Sequence, residues 1–292
     1  PYLLNFFVLG AVAAPDAAQM AKLKARLLPY YERLGIAGMP DELAAPPVGF
    51  APELLALMLD IRPPAVSFHF GLPDADAMAA LRDAGIVVLA SASNVAEARA
   101  LEAAGVDAVI AQGWEAGGHR GSRLPGGPAD GVGLMALLPQ VVDAVGVPVI
   151  AAGGIADGRG IAAALALGAG GVQIGTAFLT CPEAATSPRH RELIGAADDR
   201  DTMFTDAVSG RAARGHKSAY ALDMADLAGA LPAYPAMYSL STPIKAASAD
   251  MRPEPLSFYL FGQAAALNRS LPAAGLVERL VDETQAVIAR MS

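Results

Sequence analysis

The sequence predicts an α/β fold in which helices cover a parallel sheet, followed by a mainly helical C-terminal lobe. Two observations support this prediction. Short apolar runs of strand length alternate with helical patterns through the first 199 residues. These runs are apolar at nearly every position, as in strands that are buried on both faces. Beyond Asp199 the alternation stops, and the remaining patterns are mainly helical.

Six strands are predicted, and each is followed by a helix. The strands are Leu3–Val8, Ala65–Phe70, Ile86–Ala90, Ala108–Gln112, Val147–Ala152 and Gly171–Ile174. The helices of this part are Pro15–Leu34, Glu53–Ile61, Asp74–Ala84, Asn94–Ala104, Leu134–Val145, Gly158–Leu167 and Pro182–Ala197. Asn94 is a typical N-cap residue, and Gly105 is a typical helix terminator. Further helices are expected at Pro235–Ala247, Leu256–Leu267 and Pro272–Ile288. We therefore assign residues 1–199 to the α/β unit and residues 200–292 to a lobe that covers its active site.

Composition limits the classes of function. The 292 residues are 54% apolar, which is enough for one large core. The net charge is −8 without a basic cluster, so nucleic acid is not expected as a partner. Cys181 is the single cysteine, which fits a reducing compartment such as the cytoplasm. The uncharged stretch 160–181 is long enough to span a membrane, but glycines at 168–171 divide it into a predicted helix and strand. The sequence also opens without a basic signal-peptide region.

Two glycine-containing turns follow neighbouring predicted strands. Gly153 and Gly154 end one strand, and Gly175 and Thr176 end the next. Each turn alone is explained by a tight connection that needs glycine for its shape. Two such turns at adjacent carboxyl ends, near a helix N-terminus, favour a phosphate site. The dinucleotide pattern G-x-G-x-x-G does not follow the first strand.

The position of these turns bears on the number of strands. In (β/α)₈ barrels a phosphate site often follows strands seven and eight. Counting back makes Leu3–Val8 the third strand. We therefore expect a TIM (β/α)₈-type barrel of which this sequence lacks the first two βα units. An open α/β sheet of six units is the alternative.

The loop after Ala108–Gln112 has the composition of a reactive site. It holds four glycines, Glu115 and His119 within the range 112–121. An imidazole titrates near neutral pH, so His119 is the candidate catalytic residue. The alternative for His119 is a structural hydrogen bond. The other histidines lie at a strand end, in a charged helix and after a basic segment: His69, His190 and His216. For His69, core packing and a site-facing role are equally favoured, whereas His190 and His216 are expected at the surface.

Polar and aromatic side chains supply further candidates. Asn5 and Gln112 lie in apolar strands. Their amides are expected either to be satisfied within the protein or to form hydrogen bonds with a heteroaromatic ring such as a flavin. Tyr234 and Tyr238 are four residues apart, which favours packing within the lobe over a substrate pocket. No histidine and carboxylate spacing indicates a metal site, and no serine-centred nucleophile elbow is present.

The motifs together resemble a known family. The segment 111–121 resembles the signature of nitronate monooxygenases, formerly called 2-nitropropane dioxygenases, and segments 151–158, 173–178 and 209–215 fit the same family. The resemblance implies an FMN-bearing TIM barrel with a helical lobe, in which His119 is catalytic. Nine residues are then implied in FMN binding: Asn5, Gln112, Gly117, Gly153, Gly154, Gln173, Ile174, Gly175 and Thr176. Family members begin with two further βα units, and their first strand contributes to the flavin site.

The implied reaction is the oxidation of alkyl nitronates, and of neutral nitroalkanes, by O₂ to carbonyl compounds and nitrite. His119 would hold the anion or remove the α-proton of a neutral substrate. A related FMN-dependent enoyl-acyl-carrier-protein reductase has a similar Gly-Gly-His loop, but Gln112 and Arg120 favour the monooxygenase. A binding or scaffold protein without flavin is a third hypothesis, and a homodimer is left open.

Overall fold

The computed structural model describes residues 2–11, 16–44, 49–122 and 131–291. Nine strands are formed in this part of the chain: β1 (Leu3–Phe7), β2 (Ala65–His69), β3 (Val87–Ala92), β4 (Ala108–Gln112), β5 (Gly118–His119), β6 (Val149–Ala152), β7 (Gly171–Gln173), β8 (Thr202–Thr205) and β9 (Ala213–His216). Six of them make one parallel sheet in the order β1-β2-β3-β4-β6-β7. All six strands predicted from the sequence are confirmed.

Ten α-helices lie within the described ranges: α1 (Ala17–Arg33), α2 (Pro52–Ile61), α3 (Ala75–Asp83), α4 (Val95–Ala103), α5 (Leu134–Val142), α6 (Gly158–Ala166), α7 (Pro188–Ala196), α8 (Ala219–Asp223), α9 (Tyr238–Ala247) and α10 (Ala273–Met291). Most predicted helices are confirmed within a few residues, although Pro15 lies outside the described residues. Helix α7 begins six residues later than predicted, because Ser187 is its N-cap and Pro188 its first residue. None of the helices described is both long and apolar enough to cross a membrane.

The core lies between the parallel sheet and the helices on it. All five residues of β4 are buried, and Val66, Val88 and Val109 from three adjacent strands are at most 2% exposed. Each fully buried aliphatic side chain stabilises the fold by about 1.5–3 kcal/mol. Because the strands are parallel, their carboxyl ends meet at one edge of the sheet, where Gln112 pairs with Ala152 and Ala152 pairs with Gln173. This register brings the loops after β4, β6 and β7 together.

The C-terminal part contains a small sheet that the sequence did not predict. Strands β8 and β9 are antiparallel, and β5 joins them in the order β5-β9-β8. In this sheet His119 pairs with Ala213, and Gly118 pairs with Arg214. The segment that carries His119 is therefore held by the C-terminal part of the chain.

The helix predicted at Leu256–Leu267 is wrong. Residues 252–264, here named the strap, contain no α-helix, and only a short 3₁₀ turn follows at Ala265–Leu267. The strap's backbone is hydrogen-bonded to distant groups instead of to its own fourth neighbour. The Gly262 N–H donates to Thr176 Oγ1 (2.9 Å) and the Gln263 N–H to Glu115 O (3.0 Å). These tertiary bonds outweigh the helical apolar pattern.

The lobe shares its core with an early helix. Leu23 and Leu27 of α1 are buried together with Tyr220 of α8 and Leu240 of α9. Helix α10 packs against α6 of the α/β unit, where a Cβ on Gly158 would overlap the backbone at Glu283. Helix α1 thus packs with the lobe, and α10 packs with the α/β unit. The boundary after residue 199 therefore stays a prediction.

A partly buried ion pair links the strap to α7. Arg189 Nε and Nη2 donate to the two carboxylate oxygens of Glu254 at 2.9 and 2.8 Å, and Glu254 is 6% exposed. Hydrogen bonding to Arg189 lowers the pKa of Glu254. A carboxylate with a lowered pKa in the folded state stabilises the fold above its unfolded-state pKa, and this contribution is lost as the pH falls towards the folded-state value.

We expect Glu254→Gln to lower the free energy of unfolding by about 1–2 kcal/mol at pH 7, because Arg189, whose side chain is 16% exposed, keeps Glu192 (2.6 Å) but loses its buried carboxylate partner. Below the folded-state pKa of Glu254 the parent has lost the same interaction, so the difference between parent and variant should shrink. Urea unfolding at both pH values measures this. Asp199→Asn is the control, since that exposed pair with Arg200 (4.0 Å) should contribute less than about 0.5 kcal/mol. An equal difference at both pH values would contradict the assignment.

Candidate active site

A cleft of about 110 Å³ opens at the carboxyl edge of the sheet. Its lining comes from the loops after β4, β6 and β7 and from the strap: Gln112, Ala116, Gly117, Ala152, Gly153, Gly154, Ile155, Gln173, Gly175, Thr176, Gly262 and Ala264. Seven of the nine residues implied in FMN binding lie in this lining. Asn5 and Ile174 do not: Asn5 Oδ1 accepts a hydrogen bond from Ser67 Oγ (2.8 Å), and Ile174 packs against the core.

The turn after β6 requires glycine at both positions. Gly153 and Gly154 have φ angles of +99° and +72°, in the left-handed region that side chains other than glycine rarely adopt. A Cβ on Gly153 would lie 2.9 Å from Ala116 N, so the signature loop could not approach. The Gly154 and Gly175 backbone N–H groups donate no hydrogen bond to any described residue. Two unpaired donors at the cleft are what a phosphate would use.

The helix N-terminus expected to assist this phosphate site is already occupied. At the start of α6, the Asp157 carboxylate accepts from Arg159 N (2.9 Å), and Glu283 Oε2 accepts from Gly158 N (3.1 Å). Two carboxylates therefore compete with any anion for the N–H groups of this helix. Anion binding in the cleft has to come from the two turns instead.

His119 lies in an aromatic pocket. Four rings surround its imidazole, with centroids 5.4–6.1 Å away: Tyr234, Phe70, Phe7 and Phe258. Its Nε2 is 2.9 Å from Ser209 Oγ. Burial lowers the pKa of His119 to about 4, and the neighbouring His69 and Arg211 add to this shift. The imidazole is therefore neutral at pH 7 and able to accept a proton.

Two side chains hold the His119 backbone in place. Gln112 Nε2 and His69 Nε2 both donate to the His119 carbonyl oxygen at 3.0 Å. Gln112 Oε1 also accepts from the Gly121 N–H (2.8 Å). The Gln112 amide is thus satisfied by the loop, as one of the two alternatives for this residue states, and the side chain also lines the cleft. Its contact with a flavin ring stays a prediction. His69 likewise positions the site rather than only packing in the core.

Glu115 lies near His119 in sequence but caps a helix. Its two carboxylate oxygens accept from the Leu134 N–H at 3.0 and 2.9 Å, at the start of α5, where Gly133 offers no side-chain cap. The carboxylate is thus committed to the helix N-terminus.

Two histidines expected at the surface are half-buried and fasten the strap. His190 Nε2 lies 3.1 Å from Leu260 O, and His216 Nδ1 lies 2.9 Å from Ser257 Oγ. Burial lowers the pKa of both rings. The expectation of solvated side chains is wrong because the strap packs over them.

Several residues of the site escaped the sequence analysis as candidates. Ser209 was noted only as part of a motif, and Phe258 and Gly262 lie in the segment predicted to be a helix. Tyr234 contacts both His119 (ring centroids 5.4 Å apart) and Tyr238 (5.8 Å), so it packs within the lobe beside the candidate site, and its contact with a substrate stays a prediction. The motif around Ser209 was a sequence signal for this residue. Phe258 and Gly262 had none, because their contacts depend on the path of the strap.

A sequence profile of the family described as "Nitronate monooxygenase" matches residues 1–283. The chain belongs to this family. It is 44% identical to a nitronate monooxygenase from Paraburkholderia phytofirmans over 294 aligned positions, which cover the whole chain and 80% of that relative. Other relatives of this name or named "probable" match over 226 to 233 residues, and those alignments cover 64–66% of the relatives' length.

Solved structures agree with this membership. A nitroalkane oxidase from Streptomyces ansochromogenes aligns with a TM-score of 0.87 and 38% identity, covering 100% of this chain and 82% of the oxidase. The FabK protein of Thermotoga maritima aligns with a TM-score of 0.66 and 29% identity, covering 98% and 94%. The family resemblance is confirmed, FabK is the more distant relative, and the family implies a flavin cofactor.

Proposed function

We propose that this chain is an FMN-dependent nitronate monooxygenase whose proton-transfer residue is His119. One observation carries the proposal: a single loop lines the cleft and holds the neutral imidazole. Gln112, Ala116 and Gly117 face the cleft, and His119 follows two residues later in the aromatic pocket. A cofactor in the cleft and a substrate in the pocket would then be neighbours.

The cleft fits the phosphate end of FMN. The unpaired N–H groups of Gly154 and Gly175 would bind the phosphate, with Thr176 beside them, and Gln112 and Gln173 at strand ends would contact the ring system. FMN bound there would supply the electron transfer between substrate and O₂ that the oxidation to a carbonyl compound and nitrite requires. Asn5 and Ile174, outside the lining, stay predicted contacts.

The protein's own groups handle the substrate and its proton. His119 is neutral at pH 7 and can remove the α-proton of a nitroalkane as general base. In its protonated form it can donate a hydrogen bond to a nitronate oxygen. Phe70 and Tyr234 pack beside the imidazole and restrict the side from which a substrate can approach.

We also propose that the parallel sheet corresponds to strands three to eight of a TIM (β/α)₈-type barrel. In the described chain, β1 and β7 each pair on one side only, as the strands flanking two further units would. The glycine turns then follow strands seven and eight, where such barrels bind phosphate. We place the protein in the cytoplasm, consistent with its single cysteine.

Substrate assays separate the proposal from its alternatives. The monooxygenase predicts O₂ uptake and nitrite release with a nitronate, whereas an enoyl reductase predicts NADH consumption with an enoyl thioester. Absorbance of the purified protein, before and after addition of FMN, tests the flavin. A colourless protein that does not bind FMN would favour a scaffold role and overturn the proposal.

The pH profile provides a quantitative test of His119. Because its pKa is lowered to about 4, the base form persists through neutral and mildly acidic pH. We therefore expect kcat/KM for a neutral nitroalkane to stay level from pH 7 down to about pH 5 and to fall by tenfold per pH unit well below 4. An inflection near the ordinary histidine pKa of about 6.5 would contradict the burial of His119 in the working enzyme.

A further inference from the structure

The Ser209 hydroxyl is enclosed by three hydrogen-bonding groups. Ser209 is 0% exposed, and its Oγ lies 3.3 Å from the Arg211 N, 3.0 Å from the Arg211 O and 2.9 Å from His119 Nε2. The backbone N–H can only donate and the carbonyl can only accept. The hydroxyl therefore gives its one hydrogen to the Arg211 carbonyl. Towards His119 Nε2, the Ser209 oxygen can then only accept a hydrogen bond.

We infer that Ser209 fixes the tautomer of His119, with hydrogen on Nε2 and the lone pair on Nδ1. The Nε2–H donates to Ser209 Oγ, which has no second hydrogen to offer. In the part of the chain that the structure describes, no group is hydrogen-bonded to His119 Nδ1. Nδ1 is thus the atom that accepts a substrate proton. This catalytic role rests on the proposed function, whereas the tautomer does not.

His69 is held in a different way and does not share this role. Its Nε2 faces the His119 carbonyl (3.0 Å), which only accepts, so this nitrogen carries the hydrogen. Its Nδ1 lies 2.9 Å from Ser91 Oγ and accepts from that hydroxyl. Both ring nitrogens of His69 are therefore used. Of the two neighbouring imidazoles, only His119 has a nitrogen available for a proton.

Several ionisable groups surround His119. They are His69 on β2, Arg211 between β8 and β9, and Tyr234 between α8 and α9. Burial and the positive charge of Arg211 both disfavour the protonated His119 ring. The ring is consequently neutral under working conditions, and the choice between its two tautomers decides which nitrogen is basic.

The segment around Ser209 is positioned without help from His119. The Gly210 N–H donates to Asp206 O (2.7 Å), and the Tyr234 N–H donates to Gly210 O (3.1 Å). Ser241 Oγ donates to Val208 O (2.6 Å). These bonds fix the backbone on both sides of Ser209. A Ser209→Ala variant is therefore expected to keep this backbone, while it loses the acceptor for His119 and two hydrogen bonds to the Arg211 backbone.

NMR of the ¹⁵N-labelled protein at pH 7 measures the tautomer directly, without substrate. The His119 ring signals are assigned by their loss in His119→Gln. We expect the Nε2–H tautomer in the parent and a reduced Nε2–H population in Ser209→Ala. An Nδ1–H tautomer in the parent, or unchanged populations in Ser209→Ala, would overturn the inference.

Two substrates separate proton transfer from structure. In Ser209→Ala we expect kcat for a neutral nitroalkane to fall about tenfold, as for one lost buried hydrogen bond. The preformed nitronate has no proton to lose, so its kcat should change by less than about twofold. Equal losses with both substrates would indicate a merely structural role and contradict the inference. If neither substrate reacts with the parent, the proposed function fails while the NMR result still decides the tautomer.

Ser241→Ala is the matched control. Ser241 is also 0% exposed and donates to a carbonyl of the same segment, but it does not contact His119. This variant should lower Tm and leave both the tautomer and the substrate ratio unchanged. A shifted tautomer in Ser241→Ala would mean that the backbone, and not the Ser209 hydroxyl, sets the hydrogen position.

Discussion

His119→Ala is expected to slow the oxidation of neutral nitroalkanes by about 10²- to 10⁴-fold, the range that a positioned general base contributes. The neutral imidazole is the proton acceptor that the aromatic pocket offers, and Ala carries no such group. Stopped-flow or steady-state rates with a neutral nitroalkane at pH 7 measure the loss.

The same variant contains its own control. His119 does not line the cleft, so the flavin content and visible spectrum should match those of the parent. A preformed nitronate needs no proton removal, and its turnover should fall much less. Unchanged rates with the neutral substrate would remove His119 from the mechanism, whereas loss of flavin would show that the imidazole supports the fold of the cleft.

Gly154→Val is expected to weaken FMN binding by about ten- to a hundredfold. At φ +72° a valine is strained by about 1–3 kcal/mol, and the turn relieves this strain by leaving the conformation that presents its N–H. A side chain here would point towards Glu115, with its Cβ 3.2 Å from Glu115 Cβ, so the loss acts through the backbone. Titration of the flavin-free protein with FMN measures the affinity.

Gly85→Val is the matched control for strain. Gly85 has nearly the same φ, +73°, but follows α3 at the opposite end of the sheet, with no atom within 4 Å of its would-be Cβ. Both variants should lose similar stability, and only Gly154→Val should lose FMN affinity. Equal affinities in Gly154→Val and the parent would disprove a phosphate site at this turn.

The parallel sheet could be predicted from the sequence because its signals are local. Apolar runs mark the strands, and the N-caps are confirmed: Asn94 Oδ1 accepts from the Glu97 N–H at 2.9 Å. The strap could not be predicted, since its tertiary backbone partners are more than thirty residues away in sequence, as for Pro255 and Tyr220 or for Gly262 and Thr176. An apolar pattern cannot distinguish such a segment from a buried helix.

The residues of the candidate site also fall into two groups, those with a local sequence signal and those without one. The motif and its glycine turns indicated His119 and Gly153, because short loops after strands impose strict residue types. The link between His119 and Ser209 spans ninety residues and depends on how β9 pairs with β5. A hydrogen bond of this range leaves no periodic trace, so only the folded arrangement reveals it.

Two hydrogen-bond systems therefore support the two halves of the chemistry. The cleft belongs mainly to the parallel strands, whereas the His119 imidazole is carried by the antiparallel sheet β5-β9-β8. Regions of a protein open with different free energies. Because Gly117 of the cleft and His119 belong to one loop, mild denaturant that melts the antiparallel sheet first would weaken FMN binding and nitroalkane deprotonation together.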